Sequence, residues 1–193
     1  MAERLGSFLR WSTALATVVA GLAFAGTPPA SAQASSIGIN FDNHGAPCDF
    51  IDTHALHSQY AAQGVLFAGP GPGLANGGGV LNECGNFGVT GFSAPNFLAF
   101  NSGAPFADGG LPEPPETIAF TSGPVSHVQI NAGSAEGGNI TLNAYNTSHQ
   151  LLASSHITMT SALATLSVDA SGIDGVKIVT SASIFVLDDL QAS

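Results

Sequence analysis

Basic side chains are almost missing from this sequence: three Lys and Arg stand against thirteen Asp and Glu. Two of the three, Arg4 and Arg10, lie in the first ten residues. Lys177 is the third. Nucleic-acid binding needs several cations to displace counterions from phosphates, so it is excluded as a function. Adhesion to anionic membrane surfaces fails for the same reason. Tryptophan is limited to Trp11, and only two tyrosines occur, Tyr60 and Tyr145. A broad aromatic platform for sugars is therefore absent. Cysteine is limited to Cys48 and Cys84, at a spacing that matches no zinc motif. No Gly-x-Ser-x-Gly elbow occurs and neither cysteine has a protease context, so no catalysis is expected.

What is present begins with an export leader. Arg4 and Arg10 precede an apolar run at residues 14–25, then Pro28 and Pro29, then Ala30-Ser31-Ala32, a small-residue cleavage site. The run is too short to span a bilayer, which takes about 20 apolar residues. Residues 1–32 are therefore expected to be removed, leaving residues 33–193 as one domain with a formal charge of −11 and Lys177 as its single cation. The mature chain is expected outside the cytoplasm or in the periplasm, with no membrane span. Two cysteines in an exported chain predict a Cys48–Cys84 disulfide.

The periodicity is that of β-structure. Residues 36–42 alternate apolar and polar, and Ile140, Leu142 and Ala144 face one way while Thr141 and Asn143 face the other. Further strands are expected at 65–67, 117–120, 125–131, 151–158, 164–168, 176–180 and 184–190. Turn residues such as Ser122-Gly123-Pro124 separate them. Short strands at this spacing predict an all-β antiparallel sandwich. One short helix is expected after the first strand, capped by Asp52 or Thr53, with Leu56 and Tyr60 on one face and Gly64 ending it. Residues 69–79 are a Gly/Pro-rich loop without the Gly-Lys-Ser/Thr ending of a phosphate loop. His44, His54 and His57 lie close together in the chain. His54 and His57 are expected on the polar face of that helix rather than on zinc or copper.

Three groups of residues are candidates for a site. Tyr145, out of phase with Leu142 and Ala144, and Phe87, Phe92 and Phe106, in loop-like sequence, are candidates for stacking on sugar. Asp42 ends the first strand, and Asp188 and Asp189 sit inside the last, between Leu187 and Leu190. Acids in an apolar strand are costly unless paired. With one lysine in the domain, backbone N–H groups or a calcium ion are the remaining partners.

The segments Ile39-Asn40-Phe41-Asp42, Tyr60-x-x-x-Gly64-Val65-x-Phe67, Phe92-Ser93-Ala94-Pro95-Asn96-Phe97-Leu98-Ala99-Phe100, Thr141-Leu142-Asn143-Ala144-Tyr145 and Val186-Leu187-Asp188-Asp189-Leu190 carry a resemblance. They resemble secreted bacterial β-sandwich domains of the PEP-CTERM-associated type, which are similar to galactose-binding-like jelly rolls and carbohydrate-binding modules. The resemblance implies a jelly roll whose first and last strands lie together. Asp42 and Asp188 would then converge on a structural calcium ion, with Asn40 and backbone carbonyls adding oxygens and Asp189 on the opposite face. It also implies a sorting tail that the residues after Leu190 do not supply, so release is expected rather than anchoring. The expected function is a secreted non-catalytic binding module for extracellular glycan. The alternative is a structural or matrix protein of the cell exterior.

Overall fold

Strict alternation along Asn139–Tyr145 buries Ile140, Leu142 and Ala144 and leaves the residues between them on an accessible face. The same period builds most of a two-sheet antiparallel sandwich. The computed structural model describes residues 36–85 and 87–193; the leader and its cleavage site lie outside the described residues. The strands are β1 (Ile37–Ile39), β2 (Val65–Ala68), β3 (Gly79–Asn82), β4 (Asn96–Asn101), β5 (Glu116–Phe120) and β6 (Val125–Gly133). They continue as β7 (Asn139–Tyr145), β8 (Leu151–Thr158), β9 (Ala164–Ile173), β10 (Gly175–Thr180) and β11 (Ile184–Ala192).

One sheet runs β3-β4-β11-β6-β9, with β1 also paired to β11. The other runs β2-β5-β10-β7-β8. Most connections cross from one sheet to the other, so neither sheet forms from a local stretch of chain. Between the sheets lies the main core, which includes Phe41, Phe67, Phe100, Ile118, Ile140, Leu142, Leu166, Ile178, Phe185 and Leu187. Phe100 and Phe185, paired across β4 and β11, stack with centroids 4.1 Å apart.

A second apolar cluster unites Phe50, Leu81, Val89, Phe97, Ala99, Phe106 and Val186. Phe97, Ala99 and Val186 alternate with Leu98, Phe100 and Phe185 of the main core, so loops cover the other face of this sheet. β4 is in consequence buried along nearly its whole length.

The helix expected after the first strand is not formed. Leu56 and Tyr60 are buried as that reading required, but the chain around them is irregular, flanked by three-residue 3₁₀ turns at Phe50–Asp52 and Ala61–Gln63. The reason lies in the backbone partners. Leu56 N–H donates to Gly78 O, and His57 O accepts from Phe67 N–H, so this segment bonds to distant chain rather than to its own next turn. Gly64 does end the second 3₁₀ turn, in the left-handed region at φ 78°.

The disulfide between Cys48 and Cys84 is present. It ties the segment after β1 to the 3₁₀ turn Glu83–Gly85 that follows β3.

Candidate functional site

Two places concentrate polar chemistry. The first is where β11 changes partner. Ile184 to Leu187 pair with β4, and Leu190 to Ala192 pair with β1, so the end of β1 and the start of β4 meet beside Asp188. A β-bulge against β6 falls between Asp188 and Gln191, with Asp189 at φ 51°. It shifts the phase of the strand so that Leu187, Leu190 and Ala192 all reach the main core.

The ladder is incomplete at this junction, and carboxylates close it. Asn96 N–H donates to Asp42 Oδ1 at 2.8 Å. Ser93 donates to Asp188 Oδ2 twice, from N–H at 2.6 Å and from its hydroxyl at 2.9 Å. The Asn96 amide donates in turn to Phe41 O and His44 O. Asn40 Nδ2 holds Asp42 Oδ2 at 2.7 Å. Both carboxylates push the buried Tyr60 hydroxyl further above its ordinary pKa, already raised by burial. The Asp189 side chain is held elsewhere, its Oδ2 accepting from Asn131 Nδ2 on β6.

Asp188 has no exposed surface, and its Oδ1 is buried without a hydrogen-bond partner. Burial, helped by the neighbouring Asp189 charge, raises its pKa to about 6 against the opposing bonds from Ser93 and the Asp189 backbone N–H. Among the described residues no cluster of three or more His, Cys, Asp and Glu is placed for a metal. An ion here would take Asp42 and Asp188 as its anionic donors and fill its remaining positions with carbonyl, amide and water oxygens. That donor set suits a hard cation.

The second place is the outer face of the five-stranded sheet. The registers align Leu66, Ala119, Gly175, Tyr145 and Leu151 in one row across five strands. Ala119 and Gly175 are small, and the side chains at the two ends are large. The middle of the row is therefore the low floor of a trough beside Tyr145, and Leu66 and Leu151 stand at the two ends of the row. Leu66 and Leu151 are 37% and 57% exposed. A cavity of about 380 Å³ opens here, lined by Thr117, Tyr145, Asn146, His149, Asp174 and Lys177 among others. A β-carbon on Gly175 would lie 2.8 Å from Ile118 O, so the low floor is also a packing requirement between β10 and β5.

Of the four aromatic candidates, the structure puts only Tyr145 in this trough. Phe106 is buried, edge-on to Phe50 at 5.7 Å. Phe87 stacks on Phe50 at 5.9 Å, and Phe92 tilts against Phe97 at 4.8 Å. Phe106 is thus a core residue rather than a stacking surface, while Phe87 and Phe92 are half-buried against the second apolar cluster, away from the trough. The histidines do not share a site as helix neighbours. His54 Nδ1 pairs with Asp108 at 3.3 Å, while His57 contacts Phe67 O and Leu74 O.

Sequence reasoning missed a buried acid. Glu116, at the start of β5, is fully buried under the loop of residues 69–79. Its Oε2 accepts from Gly78 N–H at 2.7 Å, and its Oε1 has no partner. Burial raises its pKa to about 8. A β-carbon on Gly77, at φ 125°, would lie 2.9 Å from Oε2, so glycine lets the loop close over the acid. Nothing in the sequence marks this acid for burial, because it follows Pro112, Glu113, Pro114 and Pro115, a composition that reads as exposed connection.

No protein-family model and no curated protein matches the chain. Solved structures do. One is an arabinose-bound α-L-arabinofuranosidase of glycoside hydrolase family 51, at 9% identity and a TM-score of 0.44, covering 82% of this chain and 31% of its own. Another is a Bacillus subtilis family 43 arabinoxylan arabinofuranohydrolase in complex with cellotetraose, at 15% identity and a TM-score of 0.33, covering 60% and 25%. A third is the CBM22-1 and GH10 part of Clostridium thermocellum xylanase 10B with xylohexaose, at 11% identity and a TM-score of 0.34, covering 81% and 27%. The chain thus spans less than a third of each. All three are structures of glycoside hydrolases, which stands against the expectation that the chain is non-catalytic; at these TM-scores no activity passes from them to this chain. Among the described residues no helix is long and apolar enough to cross a membrane, and a structural disulfide belongs to an oxidising compartment.

Proposed function

We propose that this chain is exported, cleaved before Gln33, and binds extracellular glycan along the trough on the outer face of the five-stranded sheet. The observation that supports the reading is the row Leu66, Ala119, Gly175, Tyr145, Leu151: a low floor beside an accessible aromatic ring, with polar side chains on both flanks. Sugar rings pack their C–H faces on aromatic and aliphatic surface while their hydroxyls bond to flanking polar groups. The resemblance to PEP-CTERM-associated and galactose-binding-like domains agrees with this use of a sandwich face.

Calcium belongs to the same proposal as a structural ion at Asp42 and Asp188. The supporting observation is the buried, unpartnered Oδ1 of Asp188 in a protein with no cation beside it. When bound, the ion would supply the positive charge that offsets the buried Asp188 and the half-buried Asp42.

The test is calorimetry of the mature protein against a panel of soluble plant and bacterial polysaccharides, repeated with Tyr145→Ala. Binding that Tyr145→Ala weakens tenfold or more, without loss of fold, is the expected result. A protein that binds no polysaccharide in the panel would favour the matrix alternative.

A further inference from the structure

Residues 33–193 contain one lysine and no arginine, and that lysine lines the trough. Lys177 lies on β10 two residues from Gly175, opposite Thr117 of β5 and Asn143 of β7. Its row is thus next to the row that forms the floor. Side chains two apart on a strand share a face, so Lys177 and the floor look the same way.

Twelve carboxylates share this domain with Lys177, yet none pairs with it. Both ion pairs among the described residues use histidine, and Lys177 has no hydrogen bond to any of them. Asp174 lines the same cavity without forming an ion pair with it. In so acidic a protein, a cation serving only general solubility would not need this location. An unpaired ammonium that lines the same concave place as an aromatic ring is a complementary group for an anion that also has a ring face.

From this we infer that the trough is selective for glycans that carry carboxylates, that is, uronic acid residues. The inference rests on the glycan reading above and narrows its ligand class. Lys177 bonds the uronate carboxylate, Tyr145 packs against the ring, and the Asp174 carboxylate accepts from sugar hydroxyls. A charge-assisted contact of this kind is stronger than a neutral one and weakens with salt. The net negative charge of the domain repels long polyanions, so selectivity is for a local uronate at the trough rather than for anionic polymers in general.

The experiment compares two forms of one backbone by calorimetry: a short oligogalacturonide with free carboxylates, and the same oligomer fully methyl-esterified. Neutral arabinan and xylan oligomers complete the set. The wild-type protein, Lys177→Gln, Lys177→Arg and Tyr145→Ala are each titrated after their far-ultraviolet spectra confirm the fold. The expected result is that free carboxylates bind at least about tenfold tighter than the ester. Lys177→Gln should remove that preference, Lys177→Arg should keep it, and raised salt should reduce it. Equal binding of acid and ester, with Lys177→Gln unchanged and Tyr145→Ala impaired, would overturn the uronate inference and leave the glycan reading standing. Absence of binding to every oligomer would overturn both.

Discussion

Asp42 and Asp188, from opposite ends of the domain, are held by the two ends of one four-residue segment: Asn96 N–H bonds Asp42 and Ser93 N–H bonds Asp188. The segment thereby fixes two negative charges beside the junction of β1, β4 and β11, and one oxygen of Asp188 stays buried without a partner. A site so built should respond to a divalent cation. With calcium at about 100 times its dissociation constant, stabilisation of about 2.7 kcal/mol is expected. For a domain of this size that is a rise in Tm of roughly 5–10 °C. Metal-stripped protein should show the rise on calcium addition and lose it in chelator. Asp188→Asn should abolish most of the rise, because it removes one of the two anionic donors. Asp108→Asn should not, since Asp108 bonds His54 and Gly110 elsewhere. Identical melts of the stripped protein in calcium and in chelator would exclude the ion.

The disulfide closes a loop with a sequence separation of 36. Chain entropy then assigns it about 4 kcal/mol, an upper figure where the reduced chain keeps some structure. The Cys48→Ala, Cys84→Ala double variant should unfold at correspondingly lower urea. Its slope should rise somewhat, because the unfolded chain without the crosslink exposes more surface. Alkylation of unfolded wild-type protein without reductant should label neither cysteine.

Glu116 gives the fold a pH dependence of definite sign. Its carboxyl has an ordinary pKa near 4.5 in the unfolded chain and about 8 in the fold, raised by burial. The folded state therefore holds its proton more tightly than the unfolded state. Stability from this group is fully present below pH 4.5 and is lost as pH rises toward and through 8. The full swing is on the order of a few kcal/mol. Urea unfolding at pH 6 and pH 9 should show the loss on the alkaline side. Glu116→Gln keeps an acceptor for Gly78 N–H and cannot ionise, so its stability should change much less over the same interval. An unchanged pH profile in Glu116→Gln would remove Glu116 as the cause.

Much of the fold could be read from the sequence because most strands bury one face only. β7, with Ile140, Leu142 and Ala144 inward, states its phase directly. β3 and β4 could not be read the same way. β4 is buried on both faces, so Phe97-Leu98-Ala99-Phe100 shows no alternation. The same loop cover explains why Phe106 is buried and Phe87 and Phe92 are half-buried rather than open on the surface. Their Gly-rich surroundings resemble exposed loop, but those loops are the lid of the second apolar cluster. Asp42 and Asp188 were identifiable as acids without cations in apolar strands. Tyr145 was identifiable from its phase. Lys177 and Asp174 were not, because the trough exists only through the register of neighbouring strands, and periodicity within one strand carries no register.

That register makes the trough separable from the stability of the domain. Ala119 lies between Leu66 and Gly175 on the accessible face, so a larger side chain there fills the trough without entering the core. Ala119→Phe should therefore fold, since aromatic residues suit strands and the position is not buried among core residues. Its Tm should stay close to that of the wild type, within the range usual for surface substitutions. Glycan binding should be lost, because the ring occupies the space a sugar would use. Val179→Phe is the matched control. Val179 is 40% exposed on the same strand as Lys177 and outside the trough lining, so binding should persist there. Gly175→Ala makes the contrasting case: its β-carbon would press on Ile118 O at 2.8 Å, so stability should fall as well as binding. An Ala119→Phe protein that binds glycan as tightly as the wild type would place the binding surface elsewhere on the sandwich.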